Sequence, residues 1–354
     1  PLRDPPAAIG DYVASHETSP DRRHGRGSAP RSSTASVTSE ALAPRSEATP
    51  GRVGRYETIR RIAEGGMATV YLGRIVGAGG FERKVAIKAM HPHIMRDPDS
   101  VVMYQDEARL AARIHHPNVV ATLDINEGTD GLLIVMEYIE GNSLSRILKR
   151  MRKEGEVLLH SVSLRIMIDA LNGLHAAHEL VDDAGGPLEL VHRDVSPHNL
   201  LIGVDGITRI TDFGIARARV RLAHATQTGQ IKGKIRYMAP EQMRSEEVDR
   251  RADVYSAGVV LWEMLTGQPL FTGENEGSIL LSALQGATTP PHELNPAIPA
   301  PIGEVCFRAL AQQPDYRFAT AAVFAETLEN EAHACGLMIS TARAVAKIIK
   351  PYLK

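Results

Sequence analysis

Three oxygen-bearing side chains cluster in the second half of the 354-residue sequence: Asp194, Asn199 and Asp212. They stand in His192-Arg193-Asp194-Val195-Ser196-Pro197-His198-Asn199-Leu200-Leu201 and in Asp212-Phe213-Gly214. Phosphoryl transfer needs a carboxylate to orient an attacking hydroxyl and take its proton, and hard oxygen ligands for Mg2+. Asp194 suits the first task; Asn199 and Asp212 suit the second, with Mn2+ as a substitute metal. Upstream, Val85-Ala86-Ile87-Lys88 ends an apolar strand on a lysine whose burial demands an anionic partner. Glu107 on the following helix and the phosphates of ATP are the candidates. Still earlier, Ile62-Ala63-Glu64-Gly65-Gly66-Met67-Ala68-Thr69-Val70 joins two predicted strands, where small residues let backbone N–H groups approach phosphate oxygens. Singly these signals are weak, since a hairpin glycine is ordinarily a turn and a strand-end lysine ordinarily sits in solvent. In this order they are very specific.

The elements that must position these groups fall into two sets. From Tyr56 to about Tyr138, short β-like runs dominate (56–62, 69–73, 84–89, 119–126 and 132–138), interrupted by one helical stretch near 100–115. After Gly141 the pattern becomes helical, with long periods near 161–180, 253–265 and 319–334, and strand-like pieces at 200–203 and 208–211. The expected fold class is α+β, a small β-rich lobe with one helix followed by a larger, mainly helical lobe, with a ligand cleft at their junction. The lobes are expected over 53–138 and 139–334, with a helical extension over 335–354. Residues 1–52, rich in Pro, Ser and Arg with little bulky apolar content, are expected to be disordered.

Composition narrows the function classes. With 43% hydrophobic and 23% charged residues the chain can bury a substantial core, and a formal charge of -2 gives no global reason to expect nucleic acid as partner. Only Cys306 and Cys335 are present, too few for a disulfide framework. No apolar run is long enough to span a bilayer. The expectation is a soluble, cytoplasmic protein.

Residues from about Tyr56 to Ala334 resemble the eukaryotic-like serine/threonine protein kinases of bacteria. Glu64-Gly65-Gly66-Met67-Ala68-Thr69-Val70-Tyr71 is similar to their glycine loop, and the likeness continues through Met238-Ala239-Pro240-Glu241, Asp253, Gly258 and Arg317. The resemblance implies a kinase that moves the γ-phosphate of Mg·ATP onto serine or threonine of protein substrates. It implies a Met136 gatekeeper, adenine held by the backbone of Glu137 and Ile139, and Val70, Ala86 and Leu201 around the ring. His192, Phe213 and Leu123 would join the apolar stack coupling the lobes. Glu241 and Arg317 would pair in the core, and Asp253 would hold the catalytic-loop backbone. Arg193 would meet a phosphate on the activation segment, with autophosphorylation in trans, through a transient dimer, at Thr226, Thr228 or both.

Two departures stand out. The lysine that usually follows the catalytic aspartate by two residues is Ser196, and the threonine that usually follows the activation-segment glycine is Lys234, after Gly233. Lys234 is expected to restore the missing positive charge beside the transferred phosphate, or else to read an acidic or polar substrate residue. With Ala63 in a glycine position, these departures leave open a nucleotide-binding pseudokinase or scaffold as the alternative. A small-molecule phosphotransferase fits poorly with Met238–Glu241.

Overall fold

The computed structural model describes residues 51–353 apart from 54, 97, 129–130 and 214–233. Strands β1 (Arg52–Val53), β2 (Tyr56–Glu64), β3 (Ala68–Val76), β4 (Glu82–Met90), β5 (Thr122–Gly128) and β6 (Gly131–Glu137) form one antiparallel sheet in the order β1-β2-β3-β4-β6-β5. Strand alternation sorts its two faces. Val85 and Ile87 pack with Tyr56 and Val135 on one side. Ala86 and Lys88, the intervening residues, therefore face the other. Helix α1 (Pro98–Ala112) packs against β5 and carries Glu107.

The second set of elements is built around α3 (His160–His178) and a later helix over Arg251–Thr266. Both are apolar on nearly every face and accordingly almost wholly buried. Before α3 come β7 (Gly141–Ser143) and α2 (Leu144–Lys153); after it, β8 (Leu200–Gly203) and β9 (Thr208–Ile210) complete a three-stranded sheet with β7. Helices α4 (Pro240–Met243), α5 (Arg251–Thr266), α6 (Glu276–Gln285), α7 (Pro291–Leu294), α8 (Ala300–Ala309) and α9 (Ala321–Ala334) follow. The sheet-plus-helix small lobe and helical large lobe agree with the expected class.

Three boundaries differ from expectation. Gly51 and Arg52, expected to lie in the disordered segment, are ordered instead: Arg52 pairs with Glu57 in β2, and Gly51 O accepts from Thr58 N at 2.9 Å, because the sheet edge offers the backbone a hydrogen-bonding partner. Residues 119–121 do not extend β5. Val119 instead makes a parallel bridge to Ile210, and Val120 N donates to Ile210 O at 2.9 Å, joining the small lobe to the β8–β9 hairpin. The apolar run looked like one strand because a bridge and a strand share the same side-chain preferences. The C-terminal extension is α-helical only over α10 (Ala342–Ile349), because Gly336, at φ 73°, turns the chain out of α9. Val345, Ile349 and Tyr352 are buried in the large-lobe core, and Arg150 Nη1 donates to Tyr352 O at 2.6 Å.

Candidate active site

The segment carrying Asp194 is irregular backbone, and its hold comes from below. Asp253, in the first turn of α5, is fully buried. Its Oδ2 accepts from His192 N at 2.7 Å and its Oδ1 from Arg193 N at 2.8 Å, while His178 Nε2 lies 2.7 Å from Oδ2. Burial pushes this carboxyl's pKa up, but the His178 hydrogen bond and charge together with His192 outweigh it, leaving it below the usual aspartate range. These anchors fix Arg193 at φ 61°, a conformation costly for a side-chain-bearing residue. The buried His192 ring lies 4.6 Å from the Phe213 ring. Its Nε2 donates to Thr211 O at 3.1 Å and its Nδ1 accepts from Asp194 N at 3.2 Å.

Around Asp194 three polar groups converge. Asn199 Nδ2 donates to Asp194 O at 2.8 Å and to Asp194 Oδ2 at 3.1 Å, and the Lys234 ammonium donates to the same Oδ2 at 2.7 Å. Ser196 is fully buried and its hydroxyl has no hydrogen-bond partner among the described residues. Asp212, also left-handed at φ 60°, receives Lys88 Nζ on Oδ1 at 2.5 Å. Lys88 and Asp212 line one pocket with Glu107, Met136, Thr122 and Phe213. Asn199 turns its amide nitrogen to Asp194, which directs its amide oxygen elsewhere. With an Asp212 carboxylate oxygen it supplies two hard donors, a set that suits Mg2+ completed by phosphate oxygens and water.

The glycine turn is tight. Gly65 N donates to Ala68 O at 2.9 Å, and β2 and β3 pair Ala63 with Val70 and Glu64 with Thr69. Ala63 and Glu64 are exposed, Ile62 and Gly66 half-buried, and Glu64 is ion-paired with Arg61. Met67 lies in the turn, but its side chain packs against Ala68, Met90, Tyr104 and Leu132, and its Sδ accepts from Tyr104 OH at 2.9 Å. Only the Met67 backbone is therefore available to a nucleotide. His91 ties the turn down, with Nδ1 3.2 Å from Gly66 O and Nε2 2.9 Å from Thr69 Oγ1. This strap has no signature that marks it in the sequence. Along the lobe connection, Glu137 N donates to Ala121 O at 2.9 Å, and Glu137 and Ile139 are half-buried. Ala86 pairs with Met136, while Val70 and Leu201 are half-buried.

Leu123 is not in the stack with His192 and Phe213. It packs with the Tyr56, Val85, Ile87 and Val135 cluster, and its neighbour Thr122 lines the pocket with Phe213 instead. A shift of one residue along a strand exchanges the faces. Farther off, Arg317 grips Glu241 bidentately at 2.6 and 2.8 Å in the core and donates to the carbonyls of Ala311, Gln312 and Arg251. Thr226, Thr228 and Gly233 lie outside the described residues, as do residues 1–50.

Comparison with known proteins agrees with this geometry. The protein kinase domain family matches residues 56–328. The tyrosine-protein kinase MasK of Myxococcus xanthus is 46% identical over 276 residues, 78% of this chain and 43% of that protein. The serine/threonine-protein kinase PrkC of Bacillus subtilis is 35% identical over 268 residues, 76% of this chain and 39% of that protein. The chain thus spans about two fifths of the length of these relatives. Among solved structures, the Mycobacterium tuberculosis PknI kinase domain superposes with a TM-score of 0.60 at 26% identity, covering 81% of this chain and all of that one.

Proposed function

The chain belongs to the protein kinase domain family, and from that premise we propose that it transfers the γ-phosphoryl group of ATP to serine or threonine hydroxyls of proteins. The observation carrying this reading is the convergence of Lys88 on Asp212, and of Asn199 and Lys234 on Asp194. In the proposed reaction the substrate oxygen bonds to the γ-phosphorus as the bond to the β-phosphate oxygen breaks. Asp194 takes the hydroxyl proton and ADP leaves. Lys88 holds the phosphates, and Glu107, at the same pocket, orients it. Asn199 and Asp212 would hold Mg2+ (or Mn2+), which would supply charge neutralisation at the phosphates. Lys234 supplies the point charge absent at Ser196. The backbone of residues 62–68 covers the phosphates. Adenine lies among Val70, Ala86 and Leu201, beside Met136, on the Glu137 carbonyl and Ile139 amide.

Autophosphorylation in trans at Thr226, Thr228 or both, through a transient dimer, belongs to the same reading, supported by Arg193 beside the base. A cytoplasmic setting is supported by two free cysteines, one of them exposed; among the described residues no helix is long and apolar enough to cross a membrane.

A second reading, transfer to tyrosine, is favoured by the MasK likeness together with Ser196 and Lys234, which depart from the serine/threonine pattern. Labelled ATP with a protein substrate, followed by phosphoamino-acid analysis, separates the two. Phosphoserine or phosphothreonine that vanishes in Asp194→Asn supports the first, and phosphotyrosine alone supports the second. Nucleotide binding without transfer would leave the scaffold alternative.

A further inference from the structure

A groove beside the base is lined by Lys149 and Arg152 of α2, by His198, by Arg236 and Tyr237, and by Glu263 of α5. Two of its walls run directly from the reacting centre. His198 lies four residues along from Asp194 on the same loop, and Arg236 follows by two residues the Lys234 whose ammonium is on Asp194.

The charges of this lining do not cancel. Glu263 is buried, and its carboxylate is already engaged: it accepts from Tyr237 OH at 2.5 Å and is ion-paired with Arg152. Arg152 is held in turn by Gly267 O, to which its Nε donates at 3.0 Å. The Glu263 carboxylate is therefore matched by one cation and one phenol. Exposed His198 hydrogen-bonds Ser145 at 3.0 Å through Nε2. Lys149 and Arg236 remain, and among the described residues neither has an ion-pair or hydrogen-bond partner. Arg236 Nε is in addition shielded from solvent with no acceptor among those residues, at the cost of an unsatisfied donor.

From this juxtaposition we propose that the groove selects protein substrates bearing an anionic side chain, a carboxylate or a phosphoryl group, within a few residues of the accepting hydroxyl. The inference rests on the phosphoryl-transfer reading above. An extended substrate advances about 3.3–3.6 Å per residue, so a hydroxyl at Asp194 and an anion between Lys149 and Arg236 belong to one short segment. Arg236 offers a planar fork that a carboxylate or phosphate can engage with two hydrogen bonds, and Lys149 adds a second, mobile charge. A basic substrate residue finds Glu263 already taken and two cations facing it, so the groove repels what a lone buried glutamate would attract.

The test is a positional-scanning peptide array presented to the full chain with labelled ATP. Each position flanking a serine or threonine carries in turn alanine, glutamate, phosphoserine or lysine. The expected result is a preference for glutamate, phosphoserine or both over alanine at one or two adjacent positions. Its size should be about tenfold or more in kcat/KM, the scale of a charge-assisted hydrogen bond. The glutamate and phosphoserine arms decide which anion is preferred. In Lys149→Glu and Arg236→Glu the preference ratio should fall to about one or invert toward lysine. Since Arg236→Glu can perturb folding, exposed Lys149→Glu carries the test by itself, and anisotropy of a labelled acidic peptide on Asp194→Asn protein gives a readout independent of turnover. Transfer to peptides without anionic preference overturns this inference while leaving the kinase reading intact. Absence of transfer to any peptide overturns both.

Discussion

Lys234 Nζ donates to Asp194 Oδ2 at 2.7 Å, and Asn199 Nδ2 reaches the same oxygen at 3.1 Å. A cation lies against the proposed base, while the residue that would ordinarily carry it, two positions after Asp194, is a buried serine whose hydroxyl has no partner among the described residues. The charge lost from the loop has a counterpart delivered from a separate segment.

Relocation of that charge predicts that Lys234→Ala lowers kcat by about tenfold to a thousandfold, the range for removing a transition-state donor. Ser196→Lys in the same background should restore part of it, because the new ammonium starts next to the base. Steady-state kinetics give the answer. A change confined to the peptide KM, with no rescue, would assign Lys234 to substrate reading instead.

Arg317 predicts a stability effect distant from the chemistry. Arg317→Ala strips the two hydrogen bonds from buried Glu241 and leaves its charge uncompensated, which should cost about 3–5 kcal/mol in urea unfolding. Arg317→Lys should recover only a fraction, since an ammonium cannot reproduce the bidentate fork or the three carbonyl contacts. Equal stability of the lysine variant and the parent would refute this account.

His192 predicts acid sensitivity. Burial pushes its imidazole pKa below the ordinary 6.5, with Asp253 and Asp194 opposing only in part. The folded protein binds that proton less readily than the unfolded chain. Stability is therefore fully present above about pH 6.5 and declines as pH falls from there toward the lower folded value. The hydrogen bonds give a reason: Nδ1 accepts from Asp194 N, and a proton on Nδ1 would face that amide. His192→Phe should flatten the dependence of unfolding free energy on pH below about 6.5. An unchanged slope would count against the assignment.

The C-terminal helix rests on a glycine. Gly206 has φ 77°, and a Cβ there would meet Ala342 O at 1.8 Å. Gly206→Ala should cost at least about 1–2 kcal/mol from the left-handed backbone and lift α10 from its seat. Limited proteolysis should then release the segment after Gly336 while the remaining domain resists; identical digestion of variant and parent would contradict it.

The sequence made legible those parts of the site whose chemistry is carried by fixed short motifs. Lys88, Asp194, Asn199 and Asp212 were identifiable because each stands at a constrained position within an ordered set, and Lys234 because it broke the expected pattern. Contacts made across long separations carried no such mark. The Arg152–Glu263 pair, the His91 strap on the glycine turn and the seat of α10 depend on three-dimensional packing, which no local pattern encodes. Leu123 shows a different shortfall. Strand periodicity says that neighbours face opposite ways, but a break in register between Thr122 and Asp124 decides which way, and only the pairing reveals it.

Asp253 has a consequence for motion. The amide protons of His192 and Arg193 belong to a loop without regular secondary structure, the kind of backbone that ordinarily exchanges with solvent quickly. Both end on one carboxylate at the start of a helix whose residues form the centre of the large lobe. Releasing them requires that helix end to move, so in deuterated water these two protons should persist on the timescale of the slowest helical amides. The segment that must present Asp194 to successive substrates thus inherits the rigidity of the deepest part of the fold, and opening and closing of the site is left to the elements above it.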